Sequence, residues 1–300
     1  MKKARFIQRK QCINCSSTNL KTLSSGKFNH DPLKGFIEAD PWGEDPLPYL
    51  EDAEWKLVEC EDCHQKFHQN ILAEEFNDIR FNKWMNQEAI DQFISKKTTP
   101  NTIFNKSVEY IKHILQIEEM TKKLRGRDAI KLLDFGCGHG QFLAICKQFG
   151  INGFGVDRAI DRIKYGQVSI LPSLDDLHES NFHVITLFEV LEHLDNPAPI
   201  LKALHKRLVR GGLLILETPD CEGINDITDQ VSYRKIHPLD HINAFTHASL
   251  CNIAKQFGFI PIKTSKSYVT THLRKVVKTS VKQAITPFLK QTTRQYFYKT

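Results

Sequence analysis

Hydrophobic and polar residues follow four patterns along the chain, with changes near residues 80, 126 and 270. Residues 1–80 are irregular and rich in Pro, Gly, Asp and Cys. In residues 81–126 the apolar positions recur three and four apart, which predicts helices. Residues 127–270 alternate short apolar runs with helical stretches, and residues 271–300 form a basic tail.

The third segment contains six apolar runs separated by stretches with helical spacing. Strands that alternate with helices predict a parallel sheet with helical crossovers, an α/β fold. The helix near Pro197 has clear boundaries, because proline suits a first helical turn and Gly211 and Gly212 follow its end. The predicted strands are 129–135, 151–157, 167–171, 182–188, 212–218 and 259–264, and the predicted helices are 140–149, 158–165, 197–209 and 246–257.

Composition narrows the class of protein. A length of 300 residues allows one large domain or two smaller ones. The 41% hydrophobic content is enough for a packed core and excludes wholesale disorder. No apolar run approaches the ~18 residues that span a bilayer, and the basic start lacks the apolar segment of a signal peptide. We therefore expect a cytoplasmic protein.

The formal charge of +6 is unevenly distributed. Residues 31–80 hold fourteen acids against four bases, whereas residues 261–300 hold nine bases and no acid. Without that last block the chain sums to −3. The net charge therefore does not indicate that the whole surface binds a polyanion. A nucleic-acid partner is disfavoured without being excluded.

The stretch LLDFGCGHGQF joins a predicted strand to a predicted helix through a glycine-rich turn. Gly136, Gly138 and Gly140 permit positive φ angles and close approach of a ligand to the backbone. The next predicted strand ends at Asp157, an acid able to accept both hydroxyls of a ribose. No lysine follows the glycines, which excludes a triphosphate-binding loop, and the third glycine of a nicotinamide site is missing.

Four motifs in order, LLDFGCGHG, GVD, FHVITLFEVLEHL and LVRGGLLILETP, resemble class I S-adenosylmethionine-dependent methyltransferases. The resemblance covers about 127–265 and implies a doubly wound, mostly parallel sheet of seven strands. A dehydrogenase or an inactive relative is the alternative. By position in the family, Asp134, Gly136, Cys137, Gly138 and Gly140 would line the methionine and ribose part of S-adenosyl-L-methionine, Asp157 would hold the ribose hydroxyls, Leu174 would contact adenine, and Phe188 would lie beside the methionine.

The motif FEVLEHL brings three potential ligands together just after the fourth predicted strand. Glu189, Glu192 and His193 would be costly to gather unless a divalent cation such as Mg²⁺ neutralised them. The motif is similar to the cation-binding ExxEH of small-RNA 2′-O-methyltransferases and ubiquinone-pathway O-methyltransferases. The RNA enzymes add a later histidine, which implies His241 here, with His237 in reserve. Without a cation, one of these histidines could serve as a general base.

Two CxxC pairs provide a second candidate metal site. Cys12, Cys15, Cys60 and Cys63 supply four thiolates, the donor set of a tetrahedral structural Zn²⁺. The second pair is similar to the zinc-binding domain that precedes some bacterial methyltransferases of sugars and natural products. In that pattern a glycine usually stands where this chain has His64. Both His64 and His68 are near enough in sequence to replace a thiolate.

These observations predict four domains: a zinc-ribbon-like module (1–80), a helical connector (81–126), an S-adenosylmethionine-binding methyltransferase domain (127–270) and a basic amphipathic tail (271–300). The tail has helical apolar spacing, and peripheral membrane contact, RNA binding or packing on the domain all suit it. We expect an enzyme that methylates oxygen on a small-molecule, sugar or lipid-linked intermediate, with catalysis by Glu192, His193 and His241. The alternatives are a cation-dependent RNA 2′-O-methyltransferase and a non-enzymatic zinc-ribbon protein.

Overall fold

The computed structural model describes residues 2–125, 128–158, 168–263, 277 and 292–300. The predicted helix over 158–165 and the amphipathic part of the basic tail lie outside the described residues, apart from single positions at 158 and 277. The chain forms two compact units. The N-terminal unit comprises Met1–Thr98, Leu191–Ala198 and Pro219–Ser249, and the sheet unit comprises Thr99–Val190, Pro199–Thr218 and Leu250–Thr300.

Within residues 129–264, the predicted strands and helices that lie in the described part of the chain occur in the predicted order. The strands are β1 (Phe6–Gln8), β2 (Leu20–Lys27), β3 (Glu54–Cys60), β4 (Lys66–His68), β5 (Asn70–Leu72), β6 (Lys131–Phe135), β7 (Asn152–Val156), β8 (Ile170–Leu171), β9 (Phe182–Phe188), β10 (Leu208–Glu217), β11 (Asn243–Ala244), β12 (Phe259–Ile262) and β13 (Gln295–Lys299). The helices are α1 (Leu33–Glu38), α2 (Glu74–Ile79), α3 (Gln87–Lys97), α4 (Pro100–Arg125), α5 (Gln141–Gln148), α6 (Pro197–Arg207), α7 (Gln230–Lys235) and α8 (His247–Gln256).

The sheet unit is built on seven strands in the order β12-β13-β10-β9-β6-β7-β8. The five strands from β6 to β10 run parallel, and β13 pairs antiparallel with both β10 and β12. The chain proceeds from β6 outward to β8 and then returns to β9 on the other side of β6. This reversal confirms the predicted doubly wound α/β sheet, and it opens a crevice between the carboxyl ends of β6 and β9.

Strand β13 lies within the stretch that the sequence analysis describes as a basic tail. Its sequence QYFYK contains three consecutive aromatic residues, with Phe297 fully buried and Tyr296 and Tyr298 partly buried in the same unit. The pairs Leu214↔Phe297 and Pro261↔Phe297 set its register between β10 and β12. Three aromatic residues in a row are a short signal, and the lysines and arginines around them obscured it.

Helices α4 and α5 pack on this sheet. Ile114 and Ile117 of α4 and Phe142 of α5 share one apolar cluster with strand residues such as Leu132 and Ile215. At 26 residues α4 is the longest helix in the described part of the chain, and Glu109 and Lys112 form an ion pair along it. Among the described residues, no helix is both long enough and apolar enough to cross a membrane.

The N-terminal unit has its own sheet, in the order β11-β4-β3-β2, and a separate pair β1-β5. Residues before 98 and after 219 contribute to one apolar core, which contains Phe28, Trp55 and Trp84 together with Tyr233 and Ile236. The unit therefore includes a late stretch of chain that the sequence analysis assigned to the methyltransferase domain. Contiguous hydropathy cannot reveal this, because the pairing of β4 with β11 joins residues far apart in sequence.

We predict that β13 is a major source of stability for the sheet unit. Replacing the buried Phe297 by Ala removes a full aromatic side chain from between two strands and should lower the free energy of unfolding by about 3–5 kcal/mol. The matched control is Phe149→Ala at the exposed end of α5, which should change it by less than about 0.5 kcal/mol. Urea denaturation measures both, and equal effects would contradict the prediction.

Candidate functional site

The glycine-rich turn connects β6 to α5 in the sheet unit. Gly136, Gly138 and Gly140 all have positive φ, at +77°, +52° and +77°. A Cβ on Gly136 would lie 2.3 Å from Val190 Cγ2, so this position requires glycine on steric grounds as well. A Cβ on Gly138 would meet nothing within 4 Å. The backbone at Gly138 therefore faces open space, as a ligand-binding turn requires.

Asp157 and the glycine turn come together at the carboxyl ends of β6 and β7. The backbone N–H of Gly138 donates a hydrogen bond to Asp157 Oδ2 at 2.7 Å. The N–H groups of Gly136 and Cys137 donate to the carbonyl of Val156, the residue before Asp157. The turn is thus tied to the end of β7 by three backbone donors. The structure brings together the acid and the glycines that the sequence analysis assigned to one site.

Asp134 lies on β6 just before the turn and is fully buried. Thr186 on the neighbouring β9 donates its hydroxyl proton to Asp134 Oδ1 at 2.6 Å. Burial, together with the charge of Asp157, raises the pKa of Asp134 to about 7 against the opposing effect of the hydrogen bond from Thr186. Two carboxylates beside one turn create a negative potential, which favours a ligand that carries positive charge. A sulfonium and an ammonium group, as in S-adenosylmethionine, suit this environment.

The remaining predicted cofactor residues also belong to the sheet unit. Phe188 ends β9, with its ring 5.3 Å from Phe142 of α5 and 4.8 Å from His113 of α4, measured between centroids. Leu174 is buried in the loop after β8, and its carbonyl accepts a hydrogen bond from Arg207. Cys137 is partly buried, and burial raises the pKa of its thiol, so the thiol stays protonated at neutral pH. His113 was not identified from the sequence.

Glu192, His193 and His241 meet in the N-terminal unit. Their potential ligand atoms all lie within 4.8 Å of one another. Glu192 and His193 occupy a 3-10 turn, Leu191–His193, where Glu192 is only 1% exposed. The fourth candidate, Glu189, belongs to the sheet unit, where its φ is +55° and its N–H donates to the carbonyl of Glu217. Three of the four predicted ligands therefore form one cluster.

The orientation of His193 suits a ligand. Its Nδ1 lies 3.0 Å from the carbonyl oxygen of Asp240 and 3.1 Å from Asp240 Oδ1, and its Nε2 lies 4.0 Å from Glu192 Oε1. Two ligand atoms bonded at about 2.0–2.2 Å to one cation lie about 3.0–3.5 Å apart, so Nε2 and Oε1 would have to approach each other by about 0.5–1 Å. One carboxylate with two imidazoles is a donor set for Zn²⁺, Mn²⁺ or a related ion. The residues fit the proposed cation.

Charges and burial set the protonation of the cluster. Burial alone would lower the pKa of His193, but Asp240 and Glu192 raise it to about 9. Burial lowers the pKa of His241 to about 4. Burial would raise the pKa of Asp240, yet His193 and Arg80 hold it well below its usual range. Asp240 is thus a carboxylate at any working pH.

His237, the reserve candidate, is engaged elsewhere in the N-terminal unit. Its Nδ1 accepts a hydrogen bond from the N–H of Leu239, and its Nε2 lies 2.8 Å from the Tyr233 hydroxyl and 3.3 Å from Asp40. The Tyr233 hydroxyl in turn donates to Asp40. His237 therefore belongs to a buried polar group of three residues, distinct from the group that contains His193.

Residues missed by the sequence analysis hold the turn that carries Glu192 and His193. Asn243 of β11 donates from Nδ2 to the carbonyls of Leu191 and Leu194, at 2.9 and 2.7 Å. Arg9 donates to Asn243 Oδ1 at 2.7 Å. Arg80, almost fully buried, forms an ion pair with Asp240. The sequence signals only Asp240, through its place beside His241, because the burial of an arginine leaves no local pattern.

The four cysteines of the CxxC pairs also converge in the N-terminal unit. Cys12 and Cys63 Sγ atoms are 3.5 Å apart, as are those of Cys15 and Cys60, and all four lie within 4.8 Å of one another. A tetrahedral Zn²⁺ with bonds of about 2.3 Å separates its sulfurs by about 3.8 Å. Burial raises the pKa of Cys12 to about 11, so a cation is needed to hold it as a thiolate. The four thiols fit Zn²⁺.

The two nearby histidines do not take part in this cluster. His68 is fully buried, and its Nε2 lies 2.7 Å from the carbonyl of Ile236. His64 is exposed and has a φ of +57°, the left-handed conformation that favours glycine. This backbone geometry explains why the related zinc-binding pattern usually carries glycine at this position.

Comparisons with known proteins match this chain to methyltransferases. Residues 108–264 match the family model described as a methyltransferase domain. The chain is 33% identical to the ubiquinone biosynthesis O-methyltransferase of Idiomarina loihiensis over 115 residues, which is 34% of this chain and 46% of that protein. It is 30% identical to the enzyme of that name from Pseudomonas aeruginosa over 102 residues, 29% of this chain and 44% of that protein.

A crystal structure of a SAM-dependent methyltransferase from Archaeoglobus fulgidus matches at a TM-score of 0.42 and 18% identity, covering 67% of this chain and all of that one. The chain spans about half the length of the curated relatives it matches. The family model covers more than half of the 300 residues and includes β6 to β12, the glycine turn and both FEVLEHL and LVRGGLLILET. This chain belongs to the methyltransferase-domain family and has the class I fold.

Proposed function

We propose that this protein is an S-adenosylmethionine-dependent methyltransferase that methylates a hydroxyl oxygen. The observation that carries the proposal is the contact between Asp157 and the N–H of Gly138, in a turn that opens a helix at the carboxyl edge of a doubly wound sheet. The negative potential from Asp134 and Asp157 supports a cationic cofactor. The relatives named ubiquinone biosynthesis O-methyltransferases support an oxygen acceptor on a small molecule.

S-adenosylmethionine would supply an electrophilic methyl group on a sulfonium. In this chain, Asp157 would accept hydrogen bonds from the ribose, while the backbone at Gly136 and Gly138 permits the close approach that a bulkier residue would block. Phe188 would shield the methionine part from water. Asp134 would interact with the ammonium group, since a buried carboxylate is best stabilised by a cation.

The Glu192, His193 and His241 cluster would act on the acceptor hydroxyl. A divalent cation held there would lower the pKa of a bound hydroxyl. The side chains themselves would orient that hydroxyl and, in the absence of a cation, a histidine would take its proton. Methyl transfer to oxygen needs little beyond positioning and deprotonation, which together account for large rate effects.

The cysteine cluster would bind a structural Zn²⁺. Four sulfur donors leave no open position for a substrate. The cluster stabilises a part of the unit with a small core, in which Val58 and Phe67 pack beside the cysteines. Acids outnumber bases over residues 31–80, which weighs against a nucleic-acid backbone as the partner of this region. A small-molecule, sugar or lipid-linked methyl acceptor therefore suits this acidic region better than a nucleic acid does.

The proposed role of Asp157 can be tested by measuring the affinity for S-adenosylmethionine. Asp157→Ala removes a charged acceptor for the ribose and a partner of the Gly138 N–H, so affinity for S-adenosylmethionine should fall about tenfold to a hundredfold. The control is Glu119→Ala, an exposed acid of α4, which should bind as the unaltered protein does. Calorimetry measures both, and undiminished binding by the Asp157 variant would contradict this assignment.

A change in the Glu192, His193 and His241 cluster should lower turnover without changing cofactor affinity. Glu192→Gln keeps the side-chain shape but removes the charge, and turnover should fall by about a hundredfold or more while S-adenosylmethionine affinity stays unchanged. Excess EDTA should reduce turnover in the same way, and Mg²⁺ or Mn²⁺ should restore it. Full activity in EDTA would exclude the cation and leave the general-base route. Because the natural acceptor is unidentified, turnover is followed by methyl transfer to a panel of catechols, quinols and sugars.

The zinc held by thiolates should depend on the CxxC pairs. Cys60→Ser replaces a buried sulfur donor, so bound zinc measured by mass spectrometry, with Mn²⁺ present to occupy the Glu192, His193 and His241 cluster, should fall by about one ion per chain, with a lower melting temperature. Cys251→Ser, outside the cluster, should keep its zinc. Zinc retained in full by the Cys60 variant would show that the four thiols do not form the site.

A further inference from the structure

Arg80 is a buried cation in the N-terminal unit, distant in sequence from the FEVLEHL motif. It lies in a π-helical turn, Arg80–Trp84, with its guanidinium 4.3 Å from the ring centroid of Phe81. Its Nε donates to Asn77 Oδ1 at 3.0 Å, and its Nη1 donates to Asp240 Oδ1. A guanidinium buried to this extent requires a carboxylate partner, and Asp240 is that partner.

Asp240 connects this arginine to His193. Both groups that face His193 Nδ1, the Asp240 carbonyl and the Asp240 carboxylate, can only accept hydrogen bonds. Nδ1 must therefore carry a proton. The unprotonated position of a neutral imidazole is then Nε2, the atom that faces Glu192.

We propose that Arg80 and Asp240 are positioning residues that fix the ring of His193 with Nδ1 as donor and Nε2 toward Glu192 and His241. The inference deepens the proposed function and rests on it, because Nε2 is the atom that would bind the divalent cation. A carboxylate that accepts from the outer nitrogen of a metal-binding histidine orients the ring and makes it a stronger ligand.

The surroundings of the pair support this role. Arg80, Asp240 and His193 line a small cavity, and the other residues that line it are Ile71, Leu72, Asn77, Asp195, Leu239 and Ile242. The four apolar side chains among them exclude water from part of its wall, which strengthens the interaction between the charges. Arg80 Nη1 contacts Asp240 Oδ1, the same oxygen that faces His193 Nδ1, so Asp240 cannot rotate away without leaving a buried charge unpaired.

The test removes the pair without leaving one charge behind. The double variant Arg80→Met with Asp240→Leu exchanges two buried charges for apolar side chains, which such pairs often tolerate without loss of folding. Mn²⁺ affinity of the zinc-loaded full chain, measured by calorimetry, should fall about tenfold to a hundredfold. Zinc content and S-adenosylmethionine affinity should stay unchanged. The matched control is Arg5→Met with Glu75→Leu, an exposed ion pair of the same unit, which should not alter Mn²⁺ binding.

A second measurement needs no variant of the pair. In ¹⁵N NMR spectra, with His193 assigned through His193→Gln, the neutral ring should carry its proton on Nδ1 and not on Nε2, both at high pH without added cation and with Mg²⁺ bound. A neutral ring protonated on Nε2, or unchanged Mn²⁺ affinity in the double variant, overturns the inference. Absence of Mn²⁺ binding in the unaltered protein overturns the cation in the proposed function, whereas a neutral ring with its proton on Nδ1 in that same sample still supports the role of Asp240 in orienting the ring.

Discussion

The N-terminal unit depends on the pairing of two very short strands, β4 and β11. Only Asn243 and Ala244 form β11, opposite Phe67 and Lys66. The pairing is extended by the backbone bond from His68 to Ile242 and by the side chain of Gln65, which donates to the carbonyl of Ala244 at 2.9 Å. These bonds connect the strand after the second CxxC pair to the stretch that carries Asp240, His241 and Asn243.

This pairing explains how a module that looks separate in sequence takes part in the candidate chemistry. Arg9 stands three residues before Cys12, and it reaches Asn243, which in turn holds the turn of Glu192 and His193. Arg80, at the far end of the module, reaches Asp240. A zinc site that orders the segment carrying Arg9 and Cys12 would therefore contribute to the geometry of the Glu192, His193 and His241 cluster. The zinc site itself would not bind a substrate.

How well each part of the structure could be predicted depends on how far apart in sequence its interacting residues are. Periodicity located β6, β7, β9, β10, α5, α6 and α8 within a few residues, because strand alternation and helical spacing are local properties. The glycine turn and Asp157 were identifiable because they occupy consecutive elements of one βαβ unit. The CxxC pairs were identifiable because the donor type is unmistakable. Arg9, Arg80 and Asn243 were not, since their roles arise only when residues about fifty to more than two hundred positions apart in sequence meet. The aromatic run Tyr296–Tyr298 was too short to distinguish a strand from a basic tail.

The position of β13 has a consequence for the order of folding. Strand β12 is joined to the sheet only through β13, among the pairings described, and β13 follows it by more than thirty residues. The parallel strands β6 to β10 can assemble from a continuous stretch of about 90 residues, whereas β12 must wait for a later segment to insert beside β10. Closing such a long loop costs entropy before any contact compensates for it. Completion of this sheet edge is therefore expected to be a late step, during which the flank of β10 stays exposed to pairing with another chain.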